Sequence, residues 1–481
     1  NGDAIRFFKQ LSGQKILLGE GTFSALAGSP AEAMVNIQYR NKGNWIIEAS
    51  YGNNLYSEVE VEIFDHEIIQ SEGYFIIHCN YTSSRSDKFF FDDIEIHEIK
   101  PDKEAPKILH LEAINEQLVT VSFNERLNPS SSWNTDNFFI DGGIGNPLTV
   151  QPNESNPLLI ELMLSKPLQS GVVYTLHIKN VSDERGNVLF GEEEFFLIES
   201  PDPLDLIVNE ILFNPFPASE DFLEIFNRSN KFTDLSRLKI LNTQNDRFVD
   251  LGEPKYISPG EYIVFTSYRK SLEEHYLIQK KDQIYQHDLP PFNNDQGNVS
   301  LVFREQTKDI FIDSFDYSED MHSDFLKDVE GVSLERINQD GLTNDVKNWH
   351  SAAAVSGFAT PGYENSNLLH ANIKMRQRFI LLNKTFSPNG DGIDDLLLLK
   401  YSLDLPGFIL NAKIFDVNGR VIRNLMNNKL LALDGTLSWD GSDNDGNRAD
   451  LGIYILWLEL FHPDGMVHKD KISIILADYL D

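Results

Sequence analysis

Short alternating runs dominate the chain. Ala33-Met-Val-Asn-Ile-Gln-Tyr39, Asn44-Trp-Ile-Ile-Glu-Ala49 and Val59-Glu-Val-Glu-Ile-Phe64 alternate apolar and polar residues with period two. Gly, Asn and Ser interrupt them. That pattern predicts half-buried antiparallel strands joined by turns. Residues 1–100 show too few such runs for a complete sandwich. Their closing stretch, Lys88-Phe-Phe-Phe-Asp-Asp-Ile-Glu-Ile96, predicts one more strand. Pro101-Asp-Lys-Glu-Ala-Pro106 reads as an extended linker, because proline restricts both itself and the residue before it. About seven short strands with regular turns follow in 102–199, the spacing of an immunoglobulin-like sandwich.

The same rhythm continues through 203–366 and 381–478. In the first of these, residues 268–296 are rich in Lys, Gln, Asp and Asn and carry Pro290-Pro291. They are expected to form an exposed insertion loop. Residues 367–380, with Lys374, Arg376 and Arg378, read as a short basic connection. The expected fold is therefore all-β: tandem Ig-like β-sandwich modules with a partial jelly-roll-like first module. The expected boundaries are 1–100, 102–199, 203–366 and 381–478.

Composition supports this division. A chain of 481 residues exceeds one ordinary core. Hydrophobic residues at 41% suffice for a core in each module, and the 32 Phe and 16 Tyr suit half-buried pleated surfaces. The net charge of −33 repels phosphate backbones and anionic lipid head groups, so nucleic acid is an unfavourable partner. No apolar run reaches the roughly 18–20 residues of a membrane span. The opening Asn1-Gly-Asp-Ala4 is expected to lie inside a longer precursor, with any signal or anchor upstream. The single cysteine, Cys79, sits in an apolar run and reads as a core residue.

Several words resemble known families. Lys88–Ile96 resembles the last strand of jelly-roll or laminin-G-like sandwiches. Val119-Thr-Val-Ser-Phe-Asn-Glu125 and Tyr174-Thr-Leu-His-Ile through Asp183-Glu-Arg-Gly-Asn187 resemble the bacterial Ig-like domain named after the surface-layer protein SbsA. Asp205-Leu-Ile-Val-Asn-Glu-Ile-Leu-Phe-Asn-Pro215 with Asp221-Phe-Leu-Glu-Ile-Phe-Asn227 resembles the lamin-tail domain. The later Gly331-Val-Ser-Leu-Glu-Arg336, Asn348-Trp-His-Ser-Ala352 and Gly357-Phe-Ala-Thr-Pro-Gly-Tyr363 resemble its extension in Bacteroidota surface proteins. Thr385-Phe-Ser-Pro-Asn-Gly-Asp-Gly-Ile-Asp-Asp395 and Leu451-Gly-Ile-Tyr-Ile-Leu-Trp457 resemble FlgD-like Ig domains and gliding-motility-type C-terminal domains. These resemblances imply an exported protein on the outer face of the outer membrane. They leave open whether 381–478 is a type IX secretion sorting domain or a retained module.

Candidate chemistry is sparse. Asn389, Asp391, Asp394 and Asp395 form one acidic loop, and Asp440, Asp443 and Asp445 another. Closely spaced oxygens with flexible glycines suit a hard cation such as Ca²⁺. The same residues equally suit Asx turns that hold hairpins through side-chain-to-backbone bonds. Glu210 and Glu224 could form an acid–base pair, although a chain with 74 acidic residues offers many such pairs, and a structural role is expected. No zinc-protease histidine spacing, nucleophile elbow or phosphate-binding loop is present. Trp45, Tyr51 and Tyr56 are candidates for stacking on sugars, whereas Trp133, Trp349, Trp439 and Trp457 are expected to fill cores or cap edges. The expected function is a non-catalytic surface scaffold that docks on outer-membrane or cell-surface proteins. The alternatives are a glycan-binding adhesin or the accessory region of a secreted hydrolase.

Overall fold

The computed structural model describes residues 4–11, 13–22, 32–40, 43–51, 58–65, 90–95, 102–305, 308–370 and 377–478. Tyr56, Cys79, Lys374 and Arg376 lie outside the described residues. Among the described residues strand accounts for 48% and helix for 7%, with no barrel, so the protein is all-β. It divides into two compact units, Asn1–Ile99 and Lys100–Asp481.

In the first unit, Arg6–Leu11 pairs with Gln14–Glu20 as a hairpin. Ala33–Arg40, Asn44–Tyr51 and Glu58–Phe64 form a three-stranded antiparallel sheet. Ile46, Ile47, Ala49 and Val61 are its buried residues.

Among the described residues, the second unit holds three sandwich cores, with a fourth, smaller buried cluster beside the middle one. The first lies between two sheets. One runs Ile108–Asn115, Leu118–Phe123, Leu159–Met163, Thr149–Pro152; the other Val188–Phe196, Val173–Ser182, Phe138–Ile140. In Leu118–Phe123 the alternation is direct: Val119, Val121 and Phe123 are buried and the residues between them only partly so. Period two places every second side chain on the core face.

The next core is built differently. A six-stranded sheet runs Ile284–Gln286, Tyr262–Thr266, Phe222–Asn227, Leu206–Leu212, Leu334–Arg336, Trp349–Ser351. A four-stranded sheet (Arg247–Asp250, Leu238–Asn242, Gln296–Arg304, Asp309–Ser318) covers one face of it. Every residue of Leu206–Leu212 and Phe222–Asn227 is buried, because the opposite face is covered as well. Part of that second cover comes from 268–296. The sequence reading of this segment as an exposed loop is corrected: it contains the helix Arg269–His275 and the strand Ile284–Gln286. Leu272 and Tyr276, four residues apart, fall on one side of that helical turn and are buried with Leu212, Phe222, Val264, Ile284 and Ala359.

The last core lies between the sheet Phe379–Leu381, Leu397–Ser402, Asp434–Trp439 and the sheet Thr385–Phe386, Val467–Leu476, Gly452–Phe461, Ile409–Phe415, Val421–Leu430. Direct contacts join the neighbouring cores. The rings of Phe196 and Phe232 stack at 4.2 Å, and the Leu433 N–H donates to the Ser366 carbonyl at 3.0 Å. At the second joint, Gly407 has φ +93°, and a Cβ there would lie 3.0 Å from His350 Nε2 and 3.5 Å from His462 Nε2. Glycine is required at that position on both counts.

Candidate functional site

The densest polar constellation is a row of three glutamates on the six-stranded sheet. Glu224 pairs across the ladder with Glu210, and Glu210 with Glu335. All three are 0% exposed. Side chains directly opposite on neighbouring strands lie about 4.5–5.5 Å apart at Cβ, so three ionised carboxylates here would repel strongly.

The segment 359–367 lies along this row and donates to each glutamate. Thr360 N donates to Glu210 Oε1 at 2.8 Å, and Gly362 N to Glu224 Oε2 at 2.7 Å. Glu335 accepts from Ser366 N, Ser366 Oγ, Asn367 N and Asn367 Nδ2, at 2.7–3.1 Å. Ser333 Oγ adds a bond to Glu210 at 2.5 Å, and Asn209 Nδ2 one to Glu224 at 2.7 Å. The glutamates thus strap a distant stretch of chain onto the sheet.

Their protonation follows from burial and donor supply. Burial, then the neighbouring Glu335, pushes the Glu210 pKa up to about 8. Burial and Glu210 hold Glu224 well above the usual carboxylate range. Burial raises Glu335 too, against the pull of its donors on Ser366, Thr360 and Asn367. Thr360 Oγ1 lies 2.8 Å from Glu335 Oε1 and 3.2 Å from Glu210 Oε2. A hydroxyl has one proton to give. With Glu335 already accepting from Ser366 and Asn367, the consistent arrangement has Thr360 donating to Glu335 and receiving from a protonated Glu210. This chemistry holds a strap in place, and its carboxyls are closed to solvent.

A buried ion pair sits beside the row. Arg336 Nη2 is 3.1 Å from Asp313 Oδ2, with side-chain exposures of 1% and 2%. Arg336 also donates to the Val208 and Gly341 carbonyls and to Thr343 Oγ1, and Thr343 Oγ1 donates to Asp313 Oδ1. Partners on every side are what make a buried pair tolerable.

In the two acidic loops of the last module, Asp391, Asp395, Asp440 and Asp443 turn their carboxylates onto loop backbone. Asp395 accepts from the N–H groups of Asn389, Gly390 and Gly392. Those of Gly390 and Gly392 hold its pKa below the usual range. Asp391 accepts from Ile393 N, and Asp394 from Asn383 Nδ2. Asp443 accepts from Asp445 N and Asn447 N, and Asp440 from Ser442 N and Oγ. The loops do meet: a Cβ on Gly441 would lie 2.8 Å from Pro388. Among the described residues, the three carboxylates whose oxygens all lie within 4.8 Å of one another are elsewhere: Asp102, Glu125 and Asp183. Burial, then Asp102 and Asp183, raise the Glu125 pKa. For Asp183, burial is outweighed by bonds from Asn187, Arg185 and Gly186, and its pKa falls. Oxygens so grouped suit a hard divalent cation, although Asp183 already anchors its own turn. Sequence spacing could not find this trio, because it joins the linker, a strand end and a distant turn.

The aromatic candidates separate. Trp45 packs against Phe7 at 5.2 Å and Tyr39 at 4.7 Å. Burial and Glu60 push the Tyr51 pKa up to about 12. Trp349 and Trp439 fill cores, Trp133 is 50% exposed, and Trp457 lies on the outer face of the last module's larger sheet.

No family model matches the chain, and no curated protein matches it. Among solved structures it is similar to the N-terminal part of the bacterial S-layer protein SbsC, with 16% identity, 44% of each chain covered and a TM-score of 0.20. It is similar to the S-layer protein rSbsC(31-844), with 11% identity over 79% of this chain and 55% of that one and a TM-score of 0.19. It is also similar to a Bacteroides ovatus mixed-linkage glucan utilization locus protein, SGBP-B, with 11% identity over 78% and 71% and a TM-score of 0.15. The chain spans about half the length of the S-layer structures it matches. Among the described residues, no helix is long and apolar enough to cross a membrane.

Proposed function

We propose that this chain works without catalysis, as a scaffold or interaction protein on the outer face of the outer membrane, docking on a membrane-protein complex there. The observation that supports this reading most is the closed glutamate row. Its geometry resembles an acid–base pair in sequence, yet its carboxyls are spent on the 359–367 strap and have no exposed surface. The joints between successive cores are packed and hydrogen-bonded, which suits a protein that spaces partners apart. The first unit as a sugar platform gains little support, since Trp45 is packed between Phe7 and Tyr39.

Chemical cross-linking of the full chain in intact envelopes, followed by mass spectrometry of the captured species, tests the reading. The expected result is a reproducible outer-membrane protein partner. Recovery of a soluble monomer with no envelope partner would overturn it.

A further inference from the structure

On the last module's five-stranded sheet, Tyr454, Leu456, Leu458 and Leu460 point into the core. The residues between them face outward. Trp457 pairs directly with Lys413 on one neighbouring strand and Lys471 on the other. The three side chains form one row across three strands, Lys471–Trp457–Lys413. In the next row, Ser473, Ile455, Phe415 and Val421 lie opposite one another, with Ile455 37% and Val421 43% exposed. The Phe415 ring stands nearly edge-on to Trp457, at 84° and 6.5 Å. Beyond it Ile453 is 54% exposed. In the row on the other side, Lys469 is neutralised by Glu459 at 2.6 Å.

This is an apolar, aromatic patch with a cation on each side of its tryptophan, in a chain of net charge −33. Acidic side chains would keep the patch soluble equally well, so that role does not account for two lysines. From its N-terminal to its C-terminal end the chain is far richer in acids, and cations flanking an indole select for an anion next to a flat apolar surface. An indole face accepts the C–H face of a pyranose ring, and Trp offers much contact area at small entropic cost. The two lysine Cα atoms are about 10 Å apart, two strand spacings, a span that sugars in a chain can bridge.

From this face we infer a binding site for an acidic heteropolysaccharide. One sugar ring lies on Trp457, and carboxylates borne by its neighbours meet Lys413 and Lys471. Only two cations face the ligand and the protein as a whole is strongly acidic. The fitting chain therefore has its uronates spaced by neutral sugars, which distinguishes it from nucleic acid and from densely charged polyanions. The inference does not depend on the scaffold reading, since the face would bind sugar whatever else the protein docks on.

Calorimetric titration of the full chain with gellan oligosaccharides tests it, beside dextran, polygalacturonate and single-stranded DNA. Gellan is expected to bind and dextran not. Trp457→Ala is expected to weaken gellan binding about tenfold or more, and Lys413→Glu with Lys471→Glu to abolish it. Trp457 itself is only partly exposed; Trp133→Ala, on a more exposed tryptophan in another module, is expected to leave binding unchanged. Because these side chains face outward, unchanged circular dichroism and melting temperature will separate lost binding from lost folding. Absence of gellan binding overturns the inference. So do equal binding of dextran, tighter binding of DNA, or gellan binding that survives Trp457→Ala in the folded variant.

Discussion

The third and fourth modules both depend on carboxylates and use them in opposite ways. In residues 206–367, Glu210, Glu224 and Glu335 lie in a row between the sheet and its strap, and burial raises all three pKa values. In 385–476, Asp395, Asp416 and Asp443 lie at the surface, where backbone N–H donors lower theirs. The chemical group is the same. What differs is whether desolvation or donated hydrogen bonds dominate. One module should therefore weaken as pH rises and the other as it falls.

The largest effect is expected from Glu335→Ala. It leaves the N–H groups of Ser366 and Asn367 and the Ser366 hydroxyl without their buried acceptor, at a cost of roughly 3–5 kcal/mol. Urea unfolding followed at Trp349, in the same core, reads this out. A loss smaller than about 1 kcal/mol would show that the strap does not depend on the row.

The pH response comes next. Unfolded glutamate ionises near pH ~4.3. Folded Glu210 ionises at about 8. Its contribution to stability is complete below the unfolded value and is lost as pH rises through the folded one. The third module is thus expected to melt earlier at pH 9 than at pH 6, by several degrees. Glu210→Gln sharpens the point. Its amide can accept from Thr360 N and Ser333 through oxygen and donate to Thr360 Oγ1 through nitrogen, as the protonated carboxyl does. This variant is expected to fold normally and to flatten the pH dependence. A calorimetric profile as steep as that of the parent chain would refute the assignment of Glu210 as a protonated member of the row.

The smallest effect belongs to the fourth module. Folded Asp395 and Asp443 ionise below the unfolded value of about 3.9. Their contribution is present above that value and is lost as pH falls through the lower folded values. Asp395→Ala is expected to lower the fourth module's melting temperature slightly at pH 7 and to have little effect at pH 2. Nuclear magnetic resonance of the Gly390 and Gly392 amides, which Asp395 accepts, would follow this locally. Equal losses at both pH values would mean that the loop does not rely on the ionised carboxylate.

Parts of this were readable from the chain itself. The period-two run Leu118–Phe123 announces one buried and one open face, and the structure has both. Local side-chain-to-backbone bonds were one of the two readings open from spacing: Asp443 accepts from Asp445 N two residues on, and Asp395 from N–H groups three to six residues back. Glu210 was visible as a residue in a strand, but its partners are Thr360, 150 residues on, and Ser333, 123 residues on. The same holds for 268–296. Its composition suggested a loop, and only packing against Phe222 and Val264 made it a cover.

What the sequence determined by itself is local: strands from alternation, turns from Gly, Asn and Asp, and an acidic surface from composition. These rest on interactions between residues close in the chain, or on none at all. Which face of an apolar strand is covered was decided by tertiary structure alone. Leu206–Leu212 is buried on both faces, whereas Gly452–Phe461, just as apolar, is covered on one and leaves Trp457 outside. With polar residues only at Asn209, Glu210 and Glu459, neither run carries a period that distinguishes the two. The burial that protonates Glu210 came from elements that the chain brings in from far away, and strand pairing set the partly exposed Trp457 between Lys413 and Lys471.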